Sequence, residues 1–163
     1  MVEKDVEYGI KNLILSRAEN GITITNEFHS DGIIRYGGRA IGLLEFKLKR
    51  NLSNETTAGQ ILAQSMCYYY KLAQKERIDY TKPFYLIIGD ENEIMLINIH
   101  QFPNNWVMNK KWGDIAPSKA GKEADLLEIA ISMLKVSPPV YFKYEALNEL
   151  SFGFHLLLSN LLN

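Results

Sequence analysis

Gly37 and Gly38 stand between two apolar runs, "DGIIRY" before them and "AIGLLEFKLK" after them, and this stretch constrains the fold more than any other. Strand-forming runs joined by so short a glycine link pair as an antiparallel hairpin. Side chains alternate along a strand, so Glu45 and Lys47 share one face of the second strand while Phe46 points oppositely into an apolar layer. Whether Asp31 joins them depends on the turn. If Gly37 and Gly38 alone form the loop, Tyr36 faces Arg39, Asp31 faces Leu44, and Asp31 and Glu45 lie on opposite sides. A three-residue loop of Gly37, Gly38 and Arg39 sets Asp31 against Glu45, and a double glycine suits that bulged turn. A site built from both carboxylates therefore makes a specific demand on the turn.

The flanking pattern extends the hairpin into an α/β fold. Val6, Ile10, Leu13 and Ile14 recur at helical spacing, which predicts an amphipathic helix from Val2 to Ser16 ending before Asn20-Gly21. The β-branched run "GITITNEFH" adds a strand ahead of the hairpin, so three strands follow one another. Thr56 or Thr57 can cap a second helix, "AGQILAQSMCYYYKLAQKE", with Ile61, Leu62, Ser65, Tyr69 and Leu72 on its packing face. Two more strands, "PFYLIIGD" and "EIMLINIH", give the order αβββαββ, a central mixed sheet flanked by helices. The irregular stretch from Gln101 to Ser118 reads as a long loop carrying Trp106 and Trp112. Two helices are expected after it, Lys122 to Lys135 and Tyr144 to Leu162, separated by Ser137-Pro138-Pro139. Residues 1–163 read as one domain with its core in about the first hundred residues. The apolar surface of the last helix is broader than one contact face needs, so it is expected to pack in a homodimer or to lead into further domains of a longer polypeptide.

Charge and cysteine usage narrow the function classes. With 18 basic and 19 acidic side chains the formal charge is −1, so nucleic-acid binding requires a local patch. Arg35, Arg39, Lys47, Lys49 and Arg50 form one such run, with Lys71, Lys75 and Arg77 beyond it. The single cysteine, Cys67, excludes an internal disulfide framework or a Cys-based zinc cluster, which fits a reducing cytoplasm. The N-terminal "MVEKDVEYGI" lacks the apolar core of a signal peptide, and "LSFGFHLLLSNLL" is too short and polar to span a bilayer. His29, His100 and His155 lack zinc-site spacing, and neither a Walker loop nor a dinucleotide fingerprint occurs.

Two carboxylates about 4 Å apart repel by roughly 4 kcal/mol at an effective dielectric near 20, and something must offset this. Lys47 offsets part of it. Mg²⁺, with Mn²⁺ as a substitute, does so better, taking Asp31, one Glu45 oxygen, the backbone carbonyl of Phe46 and waters. Such a cation acidifies a water into a nucleophile, and Lys47 can orient that water or stabilise charge building on a phosphate. The competing reading is plain: Glu-x-Lys on a strand is also an ordinary salt pair.

The combination resembles the PD-(D/E)xK nuclease superfamily. Its elements here are a glutamate on the first helix, Asp31 opening a strand, Glu45-Phe46-Lys47 on the next, and Gln64-x-x-x-Tyr68 on the following helix. The Gln-x-x-x-Tyr spacing is similar to that of the RecB-like branch, and the pattern covers residues 7 to 99. Ser30 stands where the family name has proline, and Glu3 competes with Glu7 for the helix position. The resemblance implies a restriction-endonuclease-like core and catalytic roles for Asp31, Glu45, Lys47, Gln64 and Glu7. It implies DNA contacts by Gln60, Tyr68, Lys49, Arg50 and Lys71. The stretch "LLEFKLKRN" with "QILAQSMCYYYKL" looks like nuclease domains at the front of type IIG-like restriction-modification polypeptides, where methyltransferase and recognition domains follow. The expected activity is metal-dependent DNA cleavage. The alternatives are a catalytically silent binding or assembly module and a structure-selective repair nuclease.

Overall fold

The computed structural model describes residues 2–17, 21–28 and 30–143. Helix α1 (Glu3–Arg17) precedes strands β1 (Ile22–Thr25), β2 (Gly32–Tyr36) and β3 (Arg39–Phe46). Helix α2 (Glu55–Lys75) crosses over to β4 (Tyr85–Gly89), which turns back into β5 (Glu93–Asn98). The sheet has six strands in the order β1-β2-β3-β4-β5-β6, with β6 being Val140–Lys143. Only the β3–β4 pair is parallel among these neighbours, as a helical crossover requires; the other pairs are antiparallel.

Helices cover both sheet faces, and the apolar spacing in the sequence says which residues face them. Val6, Ile10 and Ile14 are buried against Ile34, Ile41, Leu44, Phe46, Ile87 and Ile94, so α1 covers one face. Helix α2 covers the other, burying Leu62, Met66, Tyr69 and Leu72 in a cluster with Ile33, Leu43, Leu86 and Ile88. Asn54, not Thr56 or Thr57, caps α2: its side chain accepts the Thr57 N–H at 3.0 Å.

The hairpin turn differs from the one the site was expected to need. Tyr36 pairs with Arg39, so Gly37 and Gly38 form a two-residue loop, both with positive φ (59° and 81°) as a type I′ turn demands. The register then shifts between Arg35 and Ile34: Arg35 pairs with Ala40, but Ile34 pairs with Gly42 and Gly32 with Leu44. Ile41 is the extra residue of a β-bulge. The cores explain the bulge, because Ala40 and Leu43 enter the α2 cluster while Ile41 and Leu44 enter the α1 cluster. Continuing this register by one residue sets Asp31 against Glu45. The required offset is present, made by the bulge and not by the turn.

The stretch after β5 is also not the long loop expected. A 3₁₀ turn (Ile99–Gln101) leads into short helices α3 (Asn104–Val107), α4 (Lys111–Asp114) and α5 (Pro117–Ala120), and then into α6 (Ala124–Val136). Trp112 is fully buried and its indole N–H donates to the Trp106 carbonyl at 2.8 Å, so it serves packing. The expected Tyr144–Leu162 helix lies outside the described residues. Strand β6, unforeseen, is held by its pairing with β5 and by the Tyr141 hydroxyl donating to the Leu52 carbonyl at 3.0 Å.

Candidate active site

Three elements converge at the C-terminal end of β3. The turn before β2 aims Asp31: Ser30 Oγ donates to the Glu27 carbonyl at 2.7 Å, and Asn26 Nδ2 donates to the Asp31 carbonyl at 3.0 Å. Asp31 Oδ2 then accepts the Phe46 backbone N–H at 2.6 Å, which locks its carboxylate across the hairpin. Glu45 follows from strand alternation, sharing the α2 side with Leu43. Lys47 lies just past β3, its ammonium 3.3 Å from Glu45 Oε1 and 3.1 Å from Gln64 Oε1, to which it donates. Tyr68 stands one helical turn beyond Gln64 on α2, on the same helix face.

The electrostatics are those of a site short of positive charge. Burial pushes the Glu45 carboxyl up to about 8, the Asp31 charge adds to the rise, and Lys47 offsets only part of it. Asp31 is raised as well, first by burial and then by Glu7, against the lowering effect of the Phe46 N–H. Near neutral pH the carboxylate pair therefore retains a proton, and the Lys47 contact is weaker than a full ion pair. Glu45 Oε2 is buried with no hydrogen-bond partner. An orphaned buried oxygen of this kind costs about 1–3 kcal/mol, and more where charge is involved. Burial raises the Tyr68 phenol, and the nearby Glu45 charge adds to the rise.

Glu7 lies near enough to act on Asp31, but its own carboxylate is occupied. Lys11 Nζ donates to it at 2.7 Å and also reaches Asn26 Oδ1 at 3.4 Å, the same Asn26 that holds Asp31. Glu7 thus connects to the site through a chain of contacts that orients it. Glu3, its competitor, is exposed, and its charge is felt at Glu45. Among the described residues no group of three or more His, Cys, Asp or Glu gathers as a metal site would. Asp31 and Glu45 are the carboxylates that meet at this site.

Beside the carboxylates opens a cleft of about 220 Å³, walled by Lys47, Gln60 and Gln64 on one side and Ser118, Gly121 and Lys122 on the other, with Arg50 at its edge. Gln60 and Arg50 are thus brought to the site, whereas Lys49 and Lys71 are not among its walls. The Lys49 backbone N–H instead donates to Glu91 at 3.0 and 3.1 Å, in a left-handed conformation with φ 52°. Arg35 leaves the expected basic patch altogether. Its guanidinium forks onto Glu76 at 2.7 Å with both nitrogens and meets Glu27 at 2.8 Å, tying β2 to the end of α2. Arg39 leans toward Asp79 at 3.9 Å. Sequence reasoning missed Ser118 and Lys122, whose only signal was a lysine-rich segment after Pro117.

The other titratable groups are structural. Asp90, buried at the end of β4, accepts the N–H groups of Asn92 and Glu93 and shapes the turn into β5. Cys67 is buried and burial pushes its thiol up to about 11, so it is unreactive. His100 is held between the Lys82 carbonyl and the Tyr69 hydroxyl, at 2.6 and 2.7 Å. His29 and His155 lie outside the described residues. No helix among the described residues is long and apolar enough to cross a membrane. Comparison with family models, with curated proteins and with solved structures finds no match to this chain.

Proposed function

We propose that this chain is a metal-dependent phosphodiesterase that cleaves DNA, with a restriction-endonuclease-like core of the PD-(D/E)xK type. The observation that carries the reading is the convergence of Asp31, Glu45 and Lys47 on one sheet face, with Gln64 accepting from Lys47 and Tyr68 one helical turn beyond Gln64. The residues fit a divalent cation: two carboxylates raised by burial, one with an orphaned oxygen, are what a site looks like when it lacks its positive charge. Asp31, Glu45 and the Phe46 carbonyl would hold Mg²⁺ or Mn²⁺. When bound, such a cation polarises a phosphate and lowers the pKa of water.

The protein's own groups do the rest. Lys47, fixed between Glu45 and Gln64, donates to the attacking water or to a non-bridging phosphate oxygen and stabilises the charge that develops there. Gln64 keeps that ammonium from swinging away. Glu7, through Lys11 and Asn26, holds the Asp31 turn in place. A restriction-modification setting, with methyltransferase and recognition modules on a longer chain, is the context we infer for such a domain.

One observation favours a second reading, a binding or assembly module. Only two carboxylates meet among the described residues, and Glu7 is engaged by Lys11. Mn²⁺ titration of the wild type and of Asp31→Asn and Glu45→Gln separates the two. The nuclease binds Mn²⁺ through both carboxylates and loses it in each variant; a module with a mere salt cluster gives the same weak signal in all three.

A further inference from the structure

The cleft beside Lys47 has a chemistry of its own. We propose that it seats the sugar-phosphate backbone of one nucleic-acid strand against the carboxylates, with Lys122 and Arg50 gripping phosphates and no reading of base identity. This deepens the nuclease reading and rests on it for the placement of the strand. The lining carries three cationic side chains, Lys47, Arg50 and Lys122, and no aspartate or glutamate, in a chain whose overall formal charge is −1. A wall with that bias selects an anion. Amide and hydroxyl groups from Gln60, Gln64 and Ser118 add the neutral donors that phosphate and sugar oxygens accept.

Two further features of the cleft set the class. No aromatic ring stands among the described residues that line the cleft, so they give bases no stacking platform. Its volume of about 220 Å³ falls below the roughly 300 Å³ at which pockets for whole organic ligands begin, which suits a stretch of backbone better than a free nucleotide. The far wall is also fixed in place. A Cβ at Gly121 would come within 2.9 Å of Gln60 Cβ and 3.1 Å of the Gln60 backbone, so the turn after α5 is packed directly on α2. The cleft shares Lys47 and Gln64 with the carboxylate site, so a strand lying in it delivers a phosphodiester to Glu45.

The test is fluorescence anisotropy with short labelled deoxyoligonucleotides of oligo-dT, oligo-dA and mixed sequence, in chelator so that no hydrolysis intervenes. The wild type is compared with Lys122→Ala, Lys122→Arg and Arg50→Ala; both residues are exposed, so the fold is retained. Lys122→Ala should weaken all three sequences equally by several-fold and reduce the slope of log affinity against log salt by about 0.7, the value for one single-strand phosphate contact. Lys122→Arg should restore both. Wild-type-like binding by Lys122→Ala, a loss confined to one base composition, or no binding by the wild type would overturn the proposal. Backbone binding that follows these rules in a protein that never hydrolyses DNA would sink the nuclease reading while leaving the strand cleft standing.

Discussion

The carboxylate of Asp31 accepts the backbone N–H of Phe46 at 2.6 Å, across the β2–β3 hairpin. That pairing follows from the bulge at Ile41, which lets Ala40 and Leu43 both enter the α2 core while Ile41 and Leu44 both enter the α1 core. Deleting Ile41 should remove the bulge but leave Gly32 opposite Leu44 and Asp31 opposite Glu45, so Mn²⁺ binding should persist in the folded fraction while the unfolding midpoint in denaturant falls, because Ile41 is lost from the α1 core. Gly38→Val tests the turn alone: a β-branched residue at φ 81° should cost about 1–2 kcal/mol in denaturant unfolding, with Mn²⁺ affinity preserved in the folded fraction.

Glu45 makes stability depend on pH in an unusual direction. Its carboxyl is raised in the folded state to about 8, so the folded protein binds the proton more tightly than the unfolded chain. Its stabilising contribution is full below the unfolded value and is lost as pH rises through about 8. In chelator, the melting temperature should fall as the pH is raised from about 5 to 9. Glu45→Gln should flatten that slope and stabilise the protein at pH 9 by a few kcal/mol, on the order of the shift converted at about 1.4 kcal/mol per unit. Because a cation must displace the retained proton, Mn²⁺ affinity should climb steeply between about pH 6 and 8 and then level off.

His100 acts at the acid side with the opposite sign. Its ring is half-buried, and since a carbonyl can only accept, Nδ1 carries the proton toward Lys82 while Nε2 accepts from Tyr69. Burial lowers its pKa, so the folded state prefers the neutral ring and stability is lost as pH falls below about 6.5. Thermal melts between pH 7.5 and 5.5 should show a drop in the wild type. His100→Asn should be less stable at neutral pH but lose less on acidification.

Arg35 should behave as a tether and not as a phosphate ligand. Its side chain is 12% exposed and bridges Glu27 and Glu76, and removing it strands both acids. Arg35→Ala should cost about 2–3 kcal/mol in urea unfolding, below the 3–5 of a fully buried pair because both partners are partly solvated. Oligonucleotide affinity of the folded variant should match the wild type.

What the sequence made legible was local. Val6, Ile10 and Ile14 announced α1 by their spacing, and strand alternation alone placed Glu45 and Lys47 on one face. The offset bringing Asp31 to them was not readable from the turn residues, because it is set by competition between cores that only the folded sheet creates. The wall formed by Ser118 and Lys122 was hidden for a related reason. Helices of four residues, such as Pro117–Ala120, carry no periodic signal and take their place from packing on α2. Strand β6 was hidden by its length of four residues and the prolines before it, and is fixed by pairing with β5. The fate of Arg35 depended on Glu76, far along the chain, and charge runs do not reveal such partners.

The central claim is that Asp31, Glu45 and Lys47 hydrolyse phosphodiester bonds with a divalent cation. The most direct measurement incubates the purified protein with supercoiled plasmid, linear duplex and single-stranded DNA in Mg²⁺ and in Mn²⁺, beside Lys47→Ala prepared identically. Lys47→Ala keeps both carboxylates, so it should still bind Mn²⁺ while losing cleavage by at least about a hundredfold. Cleavage of equal rate in both proteins, or none by the wild type under any of these conditions, would contradict the account.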